Sequence, residues 1–422
     1  MGKQNLTLMT DLYELTMMQG YFRNKDRNET VIFDAFYRNN PMDSGYSICA
    51  GLEQVIDYIN NLHFEDDDIA YLRSLGIFGE DFLDYLRDFH FSGDIYAIPE
   101  GSIMFPREPM IKVIAPIMEA QLVETAILNI INHQSLIATK TSRVCFAARG
   151  DGIMEFGLRR AQGPDAGTLG ARAAMIGGCV GTSNVLAGQL FDVPVKGTHA
   201  HSWIMSFPDE YTAFKTYADM YPSACILLVD TYDTLKSGVP NAIRVFTEMR
   251  EAGIPLTFYG IRLDSGDLAY LSKKARKMLD EAGFPDAVIS ASNDLDEYLV
   301  DSLKVQGCKI TSWGVGTHLI TSKDWPSFGG VYKLAAIQDA QSGEFIPKIK
   351  LSENSEKITN PGNKKIYRIY EKDTGKIKAD LITLVEETFD PEQDLTIFDP
   401  IETWKKTTLK GGTYEMREIM VP

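Results

Sequence analysis

The sequence of 422 residues lacks several features that would each define a class of protein. Its five cysteines are scattered and form no CxxC pair, which excludes cysteine-rich zinc modules and is typical of a reducing compartment. No run of eighteen apolar residues occurs, so we expect no membrane-spanning helix. The stretch up to Phe22 has no continuous apolar core. We therefore expect neither a signal peptide nor a transit peptide, and we predict a cytoplasmic protein.

Positive charge is also scarce, since 42 Lys and Arg residues face 58 Asp and Glu residues and leave a net charge of −16. This balance excludes a general nucleic-acid or anionic-membrane surface, because both need a basic footprint. It does not exclude a small anionic substrate, which a few cations and backbone N–H groups in one cleft can bind. With 44% hydrophobic residues, a chain of this length can bury a large core without disulfides or metals.

Two patterns divide the chain. The first 135 residues mix helical and strand-like segments, whereas from about residue 150 short apolar runs alternate regularly with amphipathic helices. Such alternation predicts parallel βαβ units, and we counted GVYKLAAI, residues 330–337, among their strands. After residue 340 the alternation stops, and the charged stretch 348–377 predicts a hairpin with PGNKK as its turn. We therefore predict an N-terminal domain at 1–135, a catalytic domain at 136–340 and a C-terminal segment at 341–422 that returns to the N-terminal domain.

Polar or glycine-rich groups follow nearly every predicted strand of the alternating region. They are Arg159-Arg160, Asp230, Arg262-Leu263-Asp264, Ser292-Asn293-Asp294 and Gly314–Thr317. An open doubly wound sheet and a closed α/β barrel both fit the alternation. The barrel is favoured, because there the carboxyl ends of the strands converge on one mouth that carries the chemistry.

Three of these groups suggest anion binding. The glycines of GVGTHL, residues 314–319, let backbone N–H groups approach a phosphate, although a tight βα turn explains them equally well. In GIRLDSGDL, Asp267 fits a helix cap, but a cap explains neither Arg262 nor Asp264. Those two share one face of a strand and could bind a carboxylate and a sugar hydroxyl. In EFGLRRAQGPDAG the two arginines lie at the end of a predicted strand, where adjacent residues face opposite ways, so the pair is either solvated or places one side chain toward a ligand.

The stretch GTHAHSW, residues 197–203, holds two of the six histidines. His199 and His201 could bind a metal, act in catalysis or only pack. A zinc site needs a third protein ligand, and no second His or Cys cluster lies nearby in the sequence. Residue types and spacing leave the choice open.

Several motifs together resemble one family. They occur in that family's order over residues 10 to about 335: TDLYELTM, EFGLRRAQGPD, GTHAHSW, LLVDTYDT, RLDSGDL, SNDLDE and GVGTHL. The family is nicotinate phosphoribosyltransferase. The resemblance implies condensation of nicotinate with 5-phosphoribosyl 1-diphosphate to nicotinate mononucleotide and pyrophosphate, coupled to ATP hydrolysis through a phosphohistidine and assisted by Mg²⁺. It also implies an irregular α/β barrel of the type II phosphoribosyltransferase kind, a second α/β domain built from both chain ends, and a homodimer with shared active sites. Many members continue past the VP that ends this chain.

The resemblance also implies roles for individual residues. His201 is the residue that is phosphorylated. Thr198 lies beside nicotinate, and Arg262 meets the nicotinate carboxylate. Tyr13 is the residue that stacks on the pyridine ring of a neighbouring subunit's site. Asp264 holds the ribose hydroxyls.

The phosphate groups are assigned by the same resemblance. Gly314, Gly316 and Thr317 form the loop for the 5-phosphate. Arg160 and Lys333 are expected at the phosphate and pyrophosphate groups.

Other functions remain open on the sequence alone. Nicotinamide phosphoribosyltransferase shares the barrel and the histidine but handles an uncharged amide. A barrel lyase or aldolase acting on a phosphosugar would need a Schiff-base lysine, for which Lys196 and Lys333 are candidates. A protein that binds phosphates without turnover is the third alternative.

Overall fold

The computed structural model describes residues 5–351, 353 and 358–422. They form two compact units. The first unit combines the residues up to Ser135 with Ser327–Pro422, and the second is Leu136–Pro326. The boundary that we predicted at residue 340 thus lies at 326. None of the helices in the described ranges combines the length and apolarity needed to cross a membrane.

The N-terminal part of the first unit alternates helices with short strands. Its elements are α1 (Leu12–Asn24), β1 (Thr30–Tyr37), β2 (Ser47–Ile48), α2 (Leu52–Asn60), α3 (Asp66–Ser74), α4 (Glu80–Arg87), β3 (Asp94–Ala97), β4 (Ile103–Met104), β5 (Ile111–Pro116), α5 (Ile117–Leu122) and the start of α6 (Glu124–Ala147). Helix α3 was not predicted. It begins with a capping box between Glu65 and Asp68, a signal that the sequence carried.

The second unit contains the regular βα alternation. Its elements after α6 are β6 (Gly152–Glu155), α7 (Pro164–Ile176), β7 (Gly181–Thr182), α8 (Val185–Phe191), α9 (His201–Met205), α10 (Glu210–Met220), β8 (Cys225–Leu228), α11 (Val239–Glu251), β9 (Tyr259–Leu263), α12 (Leu268–Glu281), β10 (Val288–Ala291), α13 (Glu297–Val305), β11 (Ser312–Val315) and α14 (Thr317–Ile320). Helices α11, α12 and α13 are followed by Gly253, Gly283 and Gly307. All three glycines have positive φ angles, the left-handed conformation that commonly ends a helix.

The C-terminal part returns to the first unit and is built of strands. They are β12 (Gly330–Gln338), β13 (Phe345–Pro347), β14 (Lys364–Glu371), β15 (Ile377–Leu384), β16 (Leu395–Phe398), β17 (Lys406–Leu409) and β18 (Tyr414–Glu418). The hairpin expected within 348–377 lies further along the chain, as β14 and β15. Its turn contains Gly375 at φ 65°, and the PGNKK segment that we took for the turn leads into β14. Residues 352 and 354–357 of that prediction lie outside the described residues.

The larger sheet of the first unit has the order β13-β12-β1-β5-β3. Strand β12 pairs antiparallel with β1, and Lys333 lies opposite Asp34. The prediction that residues 330–337 form a strand of the catalytic alternation is therefore wrong. The error has a physical cause, because an apolar run buried in either sheet has the same composition.

The second unit contains one parallel sheet of order β7-β6-β11-β10-β9-β8, which curves as a half-barrel. Every residue of β8 is buried, as expected for a strand covered on both faces. Because the strands are parallel, their carboxyl ends share one edge of the sheet, and the polar residues that follow them collect there.

The backbones of β9 and β10 lie very close together at Gly260. A β-carbon added at Gly260 would lie 2.0 Å from the backbone oxygen of Val288, the residue paired with it in β10. We predict that Gly260→Ala lowers the free energy of unfolding by about 3 kcal/mol, since a paired backbone cannot move aside. Gly45→Ala is the control, because nothing lies within 4 Å of its added β-carbon. Urea unfolding of both variants measures the difference, and equal stabilities would contradict the prediction.

Candidate active site

The carboxyl edge of the parallel sheet gathers side chains from three neighbouring strands. Asp230 follows β8, Arg262 and Asp264 lie in and just after β9, and Ser292 follows β10. The prediction that these strand ends meet at one edge is confirmed by the contacts that join them.

The carboxylate of Asp230 joins the ends of β8 and β9. Its side chain is only 2% exposed. Its Oδ2 accepts hydrogen bonds from the backbone N–H of Asp264 at 2.8 Å and from the hydroxyl of Ser265 at 2.7 Å. Its Oδ1 is buried and has no hydrogen-bond partner among the described residues. Asp264 in turn accepts a hydrogen bond from the hydroxyl of Ser292, so the three strand ends are linked.

His201 lies against these carboxylates. It is the first residue of α9, and its Nδ1 is 3.0 Å from the hydroxyl of Thr231. Its Nε2 lies 3.7 Å from Oδ2 of Asp264 and 3.9 Å from the unpartnered Oδ1 of Asp230. The side chain is 38% exposed, so a ligand can reach it. The structure thus presents an accessible imidazole with one nitrogen held by a hydroxyl and the other beside two carboxylates.

The other imidazole of GTHAHSW lies in a different environment. His199 is 8% exposed, and its Nε2 accepts a hydrogen bond from the backbone N–H of Leu228 at 3.3 Å. Its ring packs edge-on against Tyr217, with the ring centroids 4.7 Å apart. Burial and the nearby charge of Arg262 lower the pKa of His199 to about 4. This histidine is therefore neutral and packed within the core.

Arg262 lies beside Thr198, the other residue that the resemblance assigns to nicotinate. Its Nη1 donates a hydrogen bond to the Thr198 hydroxyl, and its Nε is buried without a partner among the described residues. Burial lowers the pKa of the guanidinium, and Asp264 and Asp230 oppose that effect. The guanidinium therefore has one buried donor whose hydrogen bond is not made within the described residues.

The arginine pair does not lie on a strand, contrary to our expectation. Strand β6 ends at Glu155, and Arg159 and Arg160 form part of a single 3₁₀ turn, where both are exposed. The charge of Arg159 contributes to lowering the pKa of Arg262, after the larger effect of burial. The buried Glu155, which no motif marked, accepts a 2.6 Å hydrogen bond from Thr182 at the end of β7.

The glycine loop follows β11. A β-carbon at Gly314 would lie 2.5 Å from the Phe156 ring, and one at Gly316 would lie 3.1 Å from the Phe156 carbonyl oxygen. The tight-turn explanation thus accounts for these glycines by packing. The loop also leads into α14 at Thr317, and the first N–H groups of a helix have no acceptor within it. The segment therefore has the features of both explanations, a tightly packed turn and the start of a helix.

Two predicted site residues belong to the first unit. Tyr13 lies in α1 and is 45% exposed. Lys333 lies in β12, and its Nζ donates to the backbone carbonyl of Tyr332 at 2.6 Å and lies 4.0 Å from Oε1 of Glu124. The remaining predicted site residues all belong to the second unit.

Sequence models of three nicotinate phosphoribosyltransferase segments match the chain. The N-terminal domain matches residues 8–132, the family model matches 152–365, and the C-terminal domain matches 363–422. The nicotinate phosphoribosyltransferase of Bacillus subtilis is 50% identical over 95% of this chain and 80% of its own length. The chain belongs to the nicotinate phosphoribosyltransferase family.

Solved structures agree with this assignment. Human nicotinic acid phosphoribosyltransferase superposes with a TM-score of 0.81 at 29% identity, covering 98% of this chain and 88% of the human one. Nicotinate-nucleotide pyrophosphorylase from Pyrococcus furiosus gives a TM-score of 0.72 at 20% identity, covering 99% and 89% of the two chains. The latter supports the fold alone. Membership of the nicotinate phosphoribosyltransferase family makes this chain an enzyme, which removes the alternative of a binding protein without turnover.

Within the described residues, no group of three or more His, Cys, Asp and Glu side chains has the arrangement of a metal-binding cluster.

The alternative of a barrel lyase loses its support, because the chain belongs to the nicotinate phosphoribosyltransferase family and Lys196 is exposed at the surface.

The buried neutral state of His199 predicts a pH dependence of stability. Its pKa is about 4 in the folded protein and about 6.5 in the unfolded chain, so the unfolded chain binds the proton first as the pH falls. Its contribution to the free energy of unfolding should fall by about 2 kcal/mol between pH 7 and pH 5. His199→Gln, which cannot titrate, should lose less stability over that range. Urea unfolding at both pH values measures this, and an equal loss in both proteins would contradict the prediction.

Proposed function

We propose that this enzyme condenses nicotinate with 5-phosphoribosyl 1-diphosphate to nicotinate mononucleotide and pyrophosphate, and that it couples this reaction to ATP hydrolysis through phosphorylated His201. We also propose that it acts in the cytoplasm as a homodimer with shared active sites. The observation that carries the proposal is the accessible His201 beside Asp230 and Asp264, on the same sheet edge as Arg262. Family membership supports the substrate assignment.

Nicotinate binding is assigned to Arg262 and Thr198. A guanidinium with an unpartnered buried Nε can donate to a carboxylate, and such charge-assisted bonds are strong where water is excluded. The hydrogen bond from Arg262 holds the Thr198 hydroxyl beside the guanidinium. Nicotinamide carries no charge, so it would gain less from Arg262. This difference favours nicotinate over nicotinamide as the substrate.

The phosphoribosyl group is assigned to the neighbouring strand ends. Asp264 has one oxygen held by Ser292 and its other oxygen 3.7 Å from Nε2 of His201, and its side chain is 33% exposed, so that it could accept from ribose hydroxyls. Gly314, Gly316 and Thr317 would hold the 5-phosphate at the start of α14. Arg160 and Lys333 are assigned to the phosphate and pyrophosphate groups, and Arg159 is added because its charge reaches Arg262.

The ATP-dependent step is assigned to His201. The Thr231 hydroxyl can hold Nδ1, which leaves Nε2 on the side of the two carboxylates. A ring nitrogen attacks the γ-phosphorus of ATP, an N–P bond forms and the P–O bond to ADP breaks. The nitrogen that does not attack carries the proton, so when Nδ1 attacks, Asp264 or Asp230 can take up the proton from Nε2. Water later hydrolyses the phosphohistidine, which couples ATP consumption to turnover.

The site also fits Mg²⁺ brought in by the phosphate groups of the substrates. Oδ1 of Asp230 is buried and has no partner in the part of the chain that the structure describes, and carboxylate oxygens are ligands that Mg²⁺ prefers. Asp230 and Asp264 would hold the ion together with substrate oxygens. Its chemistry would be to offset the negative charge that develops on the leaving pyrophosphate.

The finer architecture is also a proposal. We propose that the parallel half-barrel belongs to an irregular barrel of the type II phosphoribosyltransferase kind, with a second α/β domain built from both chain ends. The high coverage of the human structure supports this.

One assay tests the activity itself. The protein is incubated with nicotinate, phosphoribosyl diphosphate and Mg²⁺, with and without ATP, and nicotinate mononucleotide is measured. We expect the mononucleotide in both mixtures, with a higher yield when ATP is present. Absence of the mononucleotide in both mixtures would refute the proposed function.

Arg262→Ala tests the carboxylate contact. The variant loses a charge-assisted hydrogen bond, so kcat/KM for nicotinate should fall at least about ten-fold. Arg262→Lys keeps the charge but loses the fork geometry, so it should recover only part of that loss. An unchanged kcat/KM in Arg262→Ala would remove Arg262 from the nicotinate site.

The two histidines of GTHAHSW provide a matched pair for the phosphorylation step. With γ-labelled ATP, the wild-type protein should retain acid-labile, base-stable label. His201→Ala should abolish the label and leave slow ATP-independent turnover. His199→Gln should keep the label, because His199 is buried and packed against Tyr217. Label that persists in His201→Ala and disappears in His199→Gln would reverse the assignment. Stoichiometric zinc bound by His199 and His201 together would refute the phosphohistidine.

Tyr13 tests the shared site. If α1 supplies Tyr13 to a neighbour's site, chains with Tyr13→Ala and chains with His201→Ala should complement each other when mixed. Each mixed dimer would contain one site in which both residues are intact. Mixed dimers without recovered ATP-coupled activity, once subunit exchange is confirmed by mass, would contradict the shared site.

A further inference from the structure

A buried polar network surrounds Tyr13 in the first unit. Gln121 is 3% exposed, and its Nε2 donates to Oε2 of the fully buried Glu14 and to Oε2 of Glu124 at 3.4 Å. The Tyr13 hydroxyl interacts with the carboxylates of Glu14 and Glu124. Burial raises the pKa of Glu14 to about 7 and also raises the pKa of Glu124. The two carboxylates thus lie side by side beneath an exposed tyrosine.

The same network reaches Lys333. Glu124 is the first residue of α6, and its other oxygen, Oε1, lies 4.0 Å from Nζ of Lys333. The charge of Lys333 lowers the pKa of Glu124 and opposes the effect of burial. One carboxylate, 13% exposed, therefore interacts with both residues of the first unit that the proposed function places at substrates.

The backbones on either side of Glu124 are held in place. Thr125 accepts a hydrogen bond from the backbone N–H of Asp11 at 3.2 Å and returns one to its carboxylate at 3.3 Å. Asp11 is the residue before α1, so the start of α1 is fixed against the start of α6. On the other side, the Tyr332 hydroxyl donates to the carbonyl of Ala120 at 2.7 Å, which fixes β12 against α5.

We infer that Glu124 is a positioning residue that holds Tyr13 and Lys333 as one group, so that each chain delivers both side chains to the same active site. The inference rests on the proposed function and deepens it. If Tyr13 stacks on nicotinate in a neighbour's site, then Lys333 meets the pyrophosphate in that neighbour's site as well. The Arg262 and His201 of that site come from the other chain.

Subunit mixing tests the shared delivery. Tyr13→Ala and Lys333→Met should each have much lower activity alone at subsaturating substrate, and each should recover it when mixed with His201→Ala chains. Random exchange makes half of the dimers mixed with one intact site each, so recovery should reach about a quarter of wild-type activity. Tyr13→Ala mixed with Lys333→Met should recover none, because every site would then lack one of the two side chains.

Several outcomes of these experiments would overturn the inference. Recovery in the mixture of Tyr13→Ala with Lys333→Met, with exchange confirmed by mass, would show that the two side chains serve different sites and would overturn the inference. Full activity of Lys333→Met alone would overturn it too. A wild-type protein that makes no nicotinate mononucleotide would overturn the proposed function together with the inference. If the wild-type protein makes nicotinate mononucleotide but the mixture of Tyr13→Ala with Lys333→Met recovers activity, only the inference is overturned.

Steady-state kinetics test the role of Glu124. The amide of Glu124→Gln can still accept from Tyr13 but carries no charge for Lys333. We expect KM for phosphoribosyl diphosphate to rise about ten-fold, as for a lost charge-assisted contact, with kcat and KM for nicotinate little changed. Tyr13→Phe keeps the ring but loses the hydroxyl, and KM for nicotinate should rise about five-fold while KM for phosphoribosyl diphosphate stays constant.

A double-mutant cycle separates positioning from a merely structural role. In the Lys333→Met background, Glu124→Gln should add nothing to KM for phosphoribosyl diphosphate, because its effect acts through Lys333. Additive effects would overturn the inference. So would a Glu124→Gln protein that keeps both wild-type KM values while its melting temperature falls.

Discussion

The buried carboxylate of Asp230 is the group on which the active-site edge of the second unit depends. It ties the end of β8 to the backbone and side chain that follow β9, and Asp264 continues the chain of contacts to β10. A carboxylate that accepts an N–H and an O–H in a dry setting is strongly oriented. Because one oxygen is occupied in this way, the other must face His201. The same group therefore fixes the backbone of the site and supplies part of its charge.

Much of the second unit was predictable, because local signals agree with the final structure there. Asp267 caps α12 by accepting from the N–H of Tyr270 at 2.9 Å, as its place before an amphipathic run indicated. Polar residues after apolar runs were expected to meet, since parallel strands share their carboxyl edge. The resemblance of the motifs to one family added the substrate class and individual residue roles, which no periodicity could supply.

The failures of prediction concern questions that depend on long-range packing. An apolar run does not reveal which sheet it joins, so β12 was placed in the wrong one. The sequence does not show where β6 ends, so the predicted strand runs on to Arg159. In the structure β6 ends four residues earlier, at Glu155, and the arginines lie in a 3₁₀ turn. His199 and His201 belong to the same motif, yet they differ in exposure. His199 is 8% exposed as a whole residue, whereas the side chain of His201 is 38% exposed. That difference arises from Tyr217 and Leu228, which are distant in sequence.

The contact between Gly314 and the ring of Phe156 has a consequence for how the glycine loop after β11 can vary. The ring fills the volume that any larger residue at position 314 would need, so β6 and β11 can approach only while that position has no side chain. The loop's first glycine is therefore fixed by the packing of two strands, whatever the loop binds. Sequence variation that changes the properties of this loop must instead occur at its other positions.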